Sequence, residues 1–542
     1  MSLKLNSVSY DQLQTTTLFR DFIKGDGKLK LFLDTFPADA KSLAEKAAAL
    51  NFKGDREKLA ELLLDFNQKY GAGEKAKSQI NRLRKKESIT VTTGQQTTIF
   101  GGPGYILYKA LSVIDLALKL EQETGKPVIP VFWIADEDHD LDEISSVNIP
   151  AGKSSEKIGV DFDHIPPHAS AAAELHAGIA ESLEKLFSIM PETDFSGDVR
   201  QLLEKHYQPG KTYAAAFAGL MLALFEEHGL ILAGSNHPAI KKTYSGIFRK
   251  AVSDADQIEN VIRSQSDKLA EVYHQQAMPV SSQLFLHDEK KGRVKLNREN
   301  EKWSNDSGKV FTNQELQNLA EKDPSKFSPN VFLRPVLQQA MLPNLVYLGG
   351  PAEIAYHAQL KPLFEHFEVL FPVLMPRLSM SLIEPPIGRI IHDLPFQYPD
   401  YSKRIEDLES EFMEQQSDSD SRDVFRDLKS EMETLLDGKL QFLVDQDASL
   451  KGAIKSASSR IGKEVDKLEQ KHQRSLKQNE KVQLQRISKI AANLFPEGNP
   501  QERFFGWIYY LNKYGPELIR SLAEETGKKS FEVYYTHQLV SL

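Results

Sequence analysis

The chain has no cysteine among its 542 residues. That excludes disulfides, thiolate metal sites and a cysteine nucleophile together. It has no apolar run approaching the length a membrane-spanning helix needs, about 18 residues or more. Its first stretch, "MSLKLNSVSYDQL", lacks the basic-then-apolar order of a secretory signal. A cytoplasmic protein without membrane association is the expectation. Positive charge is also in short supply: 67 Lys and Arg against 76 Asp and Glu leave a net charge of −9. A nucleic-acid-binding surface is usually basic, so no nucleic-acid partner is expected. What is present is the composition of a globular protein, 40% hydrophobic and 26% charged, long enough for about two to four domains.

Residues 1–85 read as a helical segment, with apolar residues at three- and four-residue spacing in "AKSLAEKAAAL" and "REKLAELLLDFNQKY". "SITVTTGQQ" then reads as a strand meeting a turn at Gly94. "GGPGYILYKALSVIDLALKLEQETGK" reads as a helix with Pro103 in its first turn and Gly125 as its stop. "PVIPVFWIA" is continuously apolar, as a strand buried on both faces should be. Strand–helix–strand in this order implies parallel pairing. "HGLILAG" (228–234), "PNLVYLGG" (343–350) and "EVLFPVLMP" (368–376) have the same look. The reading is therefore an α/β fold whose core, 86–395, is a Rossmann-type, doubly wound parallel sheet with insertions at about 151–227 and 279–330. The second insertion should contain a hairpin within "SSQLFLHDEKKGRVKLN". From 396 to 497 the sequence is that of a helical coiled coil, with Leu450, Ile454, Ala457, Ile461, Val465 and Leu468 as its seam. Such a rod needs the preceding helix, a partner chain or both to cover its stripe. Residues 498–542 read as a helical segment packing back on the core. Its Phe504, Phe505, Trp507, Tyr509 and Tyr510 suit packing more than recognition.

In an open α/β sheet, ligands bind outside the carboxyl ends of the strands, where the strand order reverses. Four segments are candidates. The first, "TTGQQTTIFGGPGY" (92–105), offers Thr93, Gly94, Gly101 and Gly102 to a nucleotide and Gln95 and Gln96 to a substrate. It matches neither the Walker nor the G-x-G-x-x-G pattern, and its glycines also fit a plain turn. The second is "VFWIADEDHDLDEI" (131–144). The carboxylates of Asp136, Glu137, Asp138 and Asp140 there could hold an ammonium group, a ribose diol or Mg²⁺, Trp133 could contact the substrate, and His139 could act as acid or base. An acid-loaded helix start accounts for some of the same residues. The third, "YLGGPAEIAYHAQL" (347–360), brings Gly349 and Gly350 for a nucleotide and Glu353 and Tyr356 for a substrate. The fourth, "MPRLSMSL" (375–382), brings Arg377, Ser379 and Ser381 as phosphate ligands, with Arg334 a further arginine of that kind. His164 and His168 in "HIPPH" sit in a loop without fixed geometry. No metal site is expected.

The order of "TTGQQTTIFGGPGYILYKA", "PVFWIADEDHDLDEI", "LPNLVYLGGPAEIAYHAQLK", "PVLMPR", the late coiled coil and "FPEGNPQERFFG" resembles the bacillithiol biosynthesis cysteine-adding enzymes, a family of cysteine ligases. The resemblance implies a core related to class I aminoacyl-tRNA synthetases, with connective-peptide insertions and a coiled-coil domain that forms a homodimer. It implies a reaction joining the carboxyl of L-cysteine to the amine of glucosaminyl-malate, with ATP and Mg²⁺ activating the carboxyl. Asp138 or its neighbours would hold an ammonium group and His139 would take the amine proton. Two features depart from the synthetases. Gly102, Pro103, Gly104 and Tyr105 stand where those enzymes have H-x-G-H, and Arg377, Leu378, Ser379, Met380 and Ser381 where they have K-M-S-K-S. Two other classes compete: a metal-dependent hydrolase using Asp138, His139 and Asp140 with Mg²⁺ or Zn²⁺, and a non-catalytic coiled-coil scaffold.

Overall fold

The five apolar runs form one sheet in the computed structural model: β1 (Ile89–Gln95), β2 (Val128–Ile134), β3 (Ile231–Ala233), β4 (Asn344–Gly349) and β5 (Val373–Pro376). The structure describes residues 3–152, 154–160, 168–288, 291–299, 302–416 and 419–542. The strand order is β5-β4-β1-β2-β3, and every neighbouring pair is parallel. β2 and β4 are buried at every position, which is why they read as unbroken apolar runs. Helix α1 (Gly104–Thr124) crosses from β1 to β2. Gly125 ends it in the left-handed region, φ +66°, as a glycine stop should. A second helix, α2 (Pro351–His357), follows β4. The strand order reverses between β1 and β4, so the carboxyl ends of those strands flank the switch point.

The chain divides into two compact units: Met1–Ile383 together with Gln501–Leu542, and Glu384–Pro500. In the first unit the N-terminal helices Thr17–Lys24, Ala40–Ala49, Arg56–Lys69 and Glu74–Arg82 are present. They share their unit with a strand not read from the sequence, Lys4–Ser9, which pairs antiparallel with Thr536–Ser541 near the other end of the chain. That last strand runs parallel to Ser379–Ile383, so the stretch 498–542, expected to be helical, finishes as a strand. The hairpin expected after residue 279 is Leu284–Asp288 with Gly292–Glu299, part of an antiparallel five-stranded sheet that also takes in Phe327–Pro329. Before it, the first insertion holds the helices Gly178–Ile189, Ser196–His206 and Tyr213–Leu224.

A buried ion pair holds the returning segment in place. Glu502 Oε2 and Oε1 accept from Arg377 Nη1 (2.9 Å) and Nη2 (2.7 Å), with side chains 6% and 4% exposed. The same carboxylate accepts from Ser379 Oγ (3.0 Å) and from the Met380 N–H (3.1 Å). Burial alone would lift the Glu502 carboxyl, but the Arg377 charge and its hydrogen bonds overrule it and hold it at about 2. Next to it Phe505 O accepts from Gly104 N (2.9 Å) and Trp507 Nε1 donates to Gly101 O (2.8 Å). Phe505, Trp507, Tyr509 and Tyr510 are all buried.

The second unit is helical. Ser419–Gln446 and Leu450–Asn479 fold back on each other, with Lys429 Nζ reaching Asp466 Oδ1 (2.7 Å) and Glu469 Oε2 (2.8 Å) across the pair. Val465 is buried and Ile454, Ala457 and Ile461 are half-buried; Leu450 and Leu468 are exposed. The preceding helix therefore covers part of the expected seam within one chain.

Two stability outcomes follow. Gly101 has φ +83° and a Cβ there would lie 2.4 Å from Trp507 Cζ2, so Gly101→Val should destabilise by about 3 kcal/mol or more in urea titration. Gly125→Ala, at φ +66° with nothing within 4 Å, should cost only about 1 kcal/mol. Equal losses would mean that the Trp507 contact contributes nothing. Arg377→Met leaves a buried carboxylate unpaired and should cost about 3–5 kcal/mol. Glu502 has a folded pKa below its unfolded value, so its contribution is complete above the ordinary Glu range and is lost as pH falls towards about 2. The difference between wild type and Arg377→Met should shrink across that acid window; a constant difference would refute the linkage.

Candidate active site

The ends of β1, β2 and β4 open onto a cleft of about 700 Å³, which Gly94, Gln95, Gln96, Trp133, Asp138, Gly350, Glu353, Tyr356 and Arg377 help to line. With Arg334, ten of the residues singled out from the sequence thus meet at the switch point, alongside Tyr105, Lys109, Glu143, Tyr347 and Arg503. Trp133 is 1% exposed and its indole N–H has no hydrogen-bond partner.

The floor is built around Lys109, which enters from the second turn of α1. Its Nζ donates to Gly94 O (2.6 Å) and Gln95 Oε1 (2.9 Å) and pairs with Glu353 Oε2 (2.7 Å). All three of its donors are used. Glu353 also accepts from Tyr347 Oη (2.5 Å) and from Gly350 N (2.9 Å). Burial works to raise the Glu353 carboxyl, yet Lys109, the Gly350 N–H and the Tyr347 hydroxyl bring it down to about 2. Burial lowers Lys109 from the ordinary lysine value, against the pull of Glu353. Gln95 is locked as well, its Nε2 donating to Tyr105 Oη (3.1 Å).

Acidic groups come from the β1–β2 half. Gln96, just beyond β1, donates through Nε2 to Asp138 Oδ2 (2.7 Å) and to Glu143 Oε2 (2.7 Å). One amide thereby holds two carboxylates side by side. Basic groups come from Arg334 on the helix before β4, donating to Tyr356 Oη (2.6 Å), from Arg377 after β5, and from Arg503 of the returning segment at the exposed rim. Arg377 is already bonded through two nitrogens to Glu502.

The acidic run "DEDHD" does not gather at one point. Asp136, expected to contact substrate, turns into the core, where it accepts from Ser235 N (3.1 Å) and Asn236 N (3.1 and 3.2 Å). Burial, and then Glu137, push its carboxyl up to about 7. Glu137 pairs with buried Lys241 (2.6 Å). Asp140 caps the short helix Leu141–Ile144 by accepting from Glu143 N (3.4 Å) and is exposed. His139, expected to act as base, stands beside the cleft with its Nδ1 3.0 Å from Arg293 Nη1. Burial and then Arg293 lower it from the ordinary histidine value. Asp138, His139 and Asp140 therefore do not converge as a hydrolase metal site would need. Among the described residues no group of three or more His, Asp and Glu could hold a metal.

Much of the expected nucleotide set lies elsewhere. Thr93 Oγ1 donates to Leu348 O (2.7 Å) and staples β1 to β4. Gly101 packs under Trp507 and Gly102 against Ile106 and Thr98. Gly349 gives its carbonyl to Arg377 N (2.9 Å), and a Cβ on it would sit 3.0 Å from Glu353 Cβ. Ser379 and Ser381 flank buried His537, at 2.8 Å from its Nδ1 and 3.0 Å from its Nε2. Of that set only Gly94, Gly350 and Arg377 line the cleft. At each helix start one N–H is already taken: that of Gly104 by Phe505 O, and that of Gly350 by the Glu353 carboxylate. His168 is half-buried, and His164 lies outside the described residues. Lys109, Arg293 and Arg503 were not singled out from the sequence. The one available signal was a lysine inside the apolar stripe of α1.

Comparison with known proteins agrees with this architecture. The family model described as "Bacillithiol biosynthesis BshC, N-terminal Rossmann-like domain" matches residues 3–378. The one described as "Bacillithiol biosynthesis BshC, C-terminal coiled-coil domain" matches 380–540, a span that includes the returning segment that here packs with the sheet unit. Relatives named "Putative cysteine ligase BshC" include one from Chlorobaculum tepidum, 32% identical over 98% of this chain and 99% of the relative. Another, from Bacillus cytotoxicus, is 30% identical over 96% and 97%. A solved chain from Campylobacter jejuni, described as a "putative arginyl t-RNA synthetase", aligns at 11% identity with a TM-score of 0.24, too low to carry an argument. No described helix is long and apolar enough to cross a membrane. With both family models spanning nearly its whole length around a Rossmann-like sheet and a helical hairpin, the chain belongs to the bacillithiol biosynthesis BshC family.

Proposed function

We propose that this chain is a cysteine ligase that joins the carboxyl of L-cysteine to the amine of glucosaminyl-malate in the cleft at the switch point. The relatives' printed name supports the ligase class. The observation that carries the reading is that one cleft is lined by groups of both charges. Asp138 and Glu143, yoked by Gln96, suit an ammonium group. Arg334 and Arg503, which line the same cleft, suit carboxylates. Cysteine and an amino-sugar malate each carry both kinds of group. The amide bond forms as the neutral substrate amine attacks the carbon of the activated cysteine carboxyl; the C–O bond to the activating group breaks, that group leaves with the oxygen, and the amine gives up a proton to a cleft carboxylate. Activation by ATP and Mg²⁺ is the expectation from the family resemblance. The Gly104 and Gly350 N–H groups and the Arg377 guanidinium are already engaged within the protein, so no step is assigned to nucleotide here.

The reading also includes a homodimer through the helical hairpin. Val424 and Leu435 are each 60% exposed, Phe442 is 64% and Leu468 is 57%. Val424, Leu435 and Phe442 lie on one helix at spacings of eleven and seven residues, close to one stripe. A second copy would cover that stripe.

Two measurements test these statements. Purified protein supplied with cysteine, glucosaminyl-malate and Mg·ATP should yield bacillithiol by mass spectrometry. Arg503→Gln should raise KM for glucosaminyl-malate, and Asp138→Asn should weaken the use of an amine-bearing substrate, each roughly ten- to a hundredfold for one charged hydrogen bond. No product with wild type, or no effect of either variant, would remove the proposal. In sedimentation, Leu435→Glu with Phe442→Glu should shift the protein towards monomer with its melting temperature retained. A wild-type monomer, or an unmoved dimer, would exclude this contact.

A further inference from the structure

The contact between Arg293 and His139 joins two parts of the first unit that are 154 residues apart in sequence. Arg293 lies on Gly292–Glu299 of the inserted antiparallel sheet. Its guanidinium is fixed on every side: Nε donates to Ser328 Oγ (2.9 Å), Nη2 donates to Pro329 O (2.6 Å), and Cζ stacks 3.9 Å from the Phe285 ring centre. The side chain is 9% exposed. What remains is Nη1, at 3.0 Å from His139 Nδ1. A guanidinium has donors only, so Nδ1 must accept. An imidazole whose Nδ1 accepts is neutral and carries its proton on Nε2. The Asp138 carboxylate does not compete for that nitrogen: its Oδ1 accepts from the His139 backbone N–H (2.8 Å) and lies 3.9 Å from Nδ1, while its Oδ2 accepts from Gln96. Among the described residues, Nε2 has no hydrogen-bond partner, and the ring is one-third exposed beside the cleft-lining Asp138.

We propose that Arg293 is a positioning residue that fixes His139 as a neutral, Nε2-protonated imidazole, so that His139 serves the site as a hydrogen-bond donor to a substrate oxygen and not as the base that removes the amine proton. The only lone pair of this tautomer is taken by Arg293, leaving none to receive a proton. The role is thus the reverse of what a histidine in an acidic cluster suggests. The low affinity of the ring for a second proton, set by burial and then by the Arg293 charge, agrees with this state. Within the site, proton acceptance is left to the carboxylates, of which Asp138 and Glu143 line the cleft.

The kinetic half of the proposal rests on the ligase reading; the tautomer does not. Gln can present an N–H near the place of Nε2 but cannot act as a base. His139→Gln should therefore retain most of kcat in amide formation from cysteine and glucosaminyl-malate, while His139→Ala should lose roughly ten- to a hundredfold. Equal loss in both variants would overturn the donor role. Long-range ¹H–¹⁵N correlation on histidine-labelled protein, with His139 assigned by its absence in His139→Gln, should show a protonated Nε2 and an unprotonated Nδ1 at neutral pH. Arg293→Met should convert that signal to mixed tautomers. A protonated Nδ1 or an imidazolium in wild type would overturn the assignment. If wild type showed the Nε2–H signal but formed no amide, the ligase reading would fail and the Arg293–His139 assignment would stand supported.

Discussion

The buried pair between Arg377 and Glu502 is the constraint on which the first unit turns. A carboxylate in so dry a place is tolerable only with a cation and further donors around it, and Glu502 has Arg377, Ser379 and the Met380 N–H. Its position fixes the residues on either side. Gln501 bonds the backbone of Leu382 in both directions, at 2.7 and 3.0 Å. Arg503 is set at the rim of the cleft, and Phe505 O closes the first turn of α1. The chain thus leaves for the helical unit at residue 384 and returns at 501 to complete a site begun some four hundred residues earlier. The same pair explains why Arg377, a reasonable phosphate ligand by residue type and place, is engaged before any ligand arrives.

How much of this was legible follows from where the information resides. The five parallel strands were readable because a strand buried on both faces must be apolar throughout, and "VIPVFWI" and "NLVYLG" are nearly so. Lys4–Ser9 and Thr536–Ser541 were not. "KLNSVS" and "THQLVS" have short, half-polar sequences, and their pairing joins the two ends of the chain, which no local pattern encodes. At the site, the segments were readable but the directions of their side chains were not. Asp136, Asp138 and Asp140 are neighbours in sequence, yet a turn following a strand sends one into the core, one into the cleft and one to solvent. Arg293 and Arg503 come from an inserted sheet and a returning segment, so only the assembled fold brings them near.

The glycines show the same limit in a different form. A glycine at positive φ announces that something approaches the backbone closely, without naming what. At Gly101 the approaching group is the Trp507 indole, which lies where a Cβ would be and bonds the Gly101 carbonyl. The helix start that suited a phosphate is covered by protein. At Gly350 a Cβ would have ordinary contacts, 3.6 Å from Glu353 and 3.7 Å from Arg377, but the helix start behind it is satisfied by the Glu353 carboxylate. An anion there would meet a fixed negative charge. Two motifs that look alike in sequence have an N–H engaged by two different devices, a returning backbone carbonyl at Gly104 and a side-chain carboxylate at Gly350.

What the parallel sheet contributes is a place where charged groups from different segments meet. At a switch point the loops after β1 and β2 diverge from those around β4 and β5, and the gap between them is lined by acids from the first pair, by Arg334 and Arg377 from the second, and by Arg503 from the returning segment. Lys109 and Glu353 face each other across that boundary, and there the charges do meet, in a pair that uses every Lys109 donor. Beside this paired floor Asp138, Glu143, Arg334 and Arg503 line the cleft with charge to offer. Gln96 adds the opposite constraint, holding two carboxylates together that would otherwise repel. A single amide can satisfy only one lone pair on each, so the doublet retains acceptors for an incoming ammonium group. The cleft is in this sense preorganised for a ligand bearing both signs of charge: Lys109, Glu353 and Arg377 are paired within the protein, and the acid doublet, Arg334 and Arg503 remain at its lining.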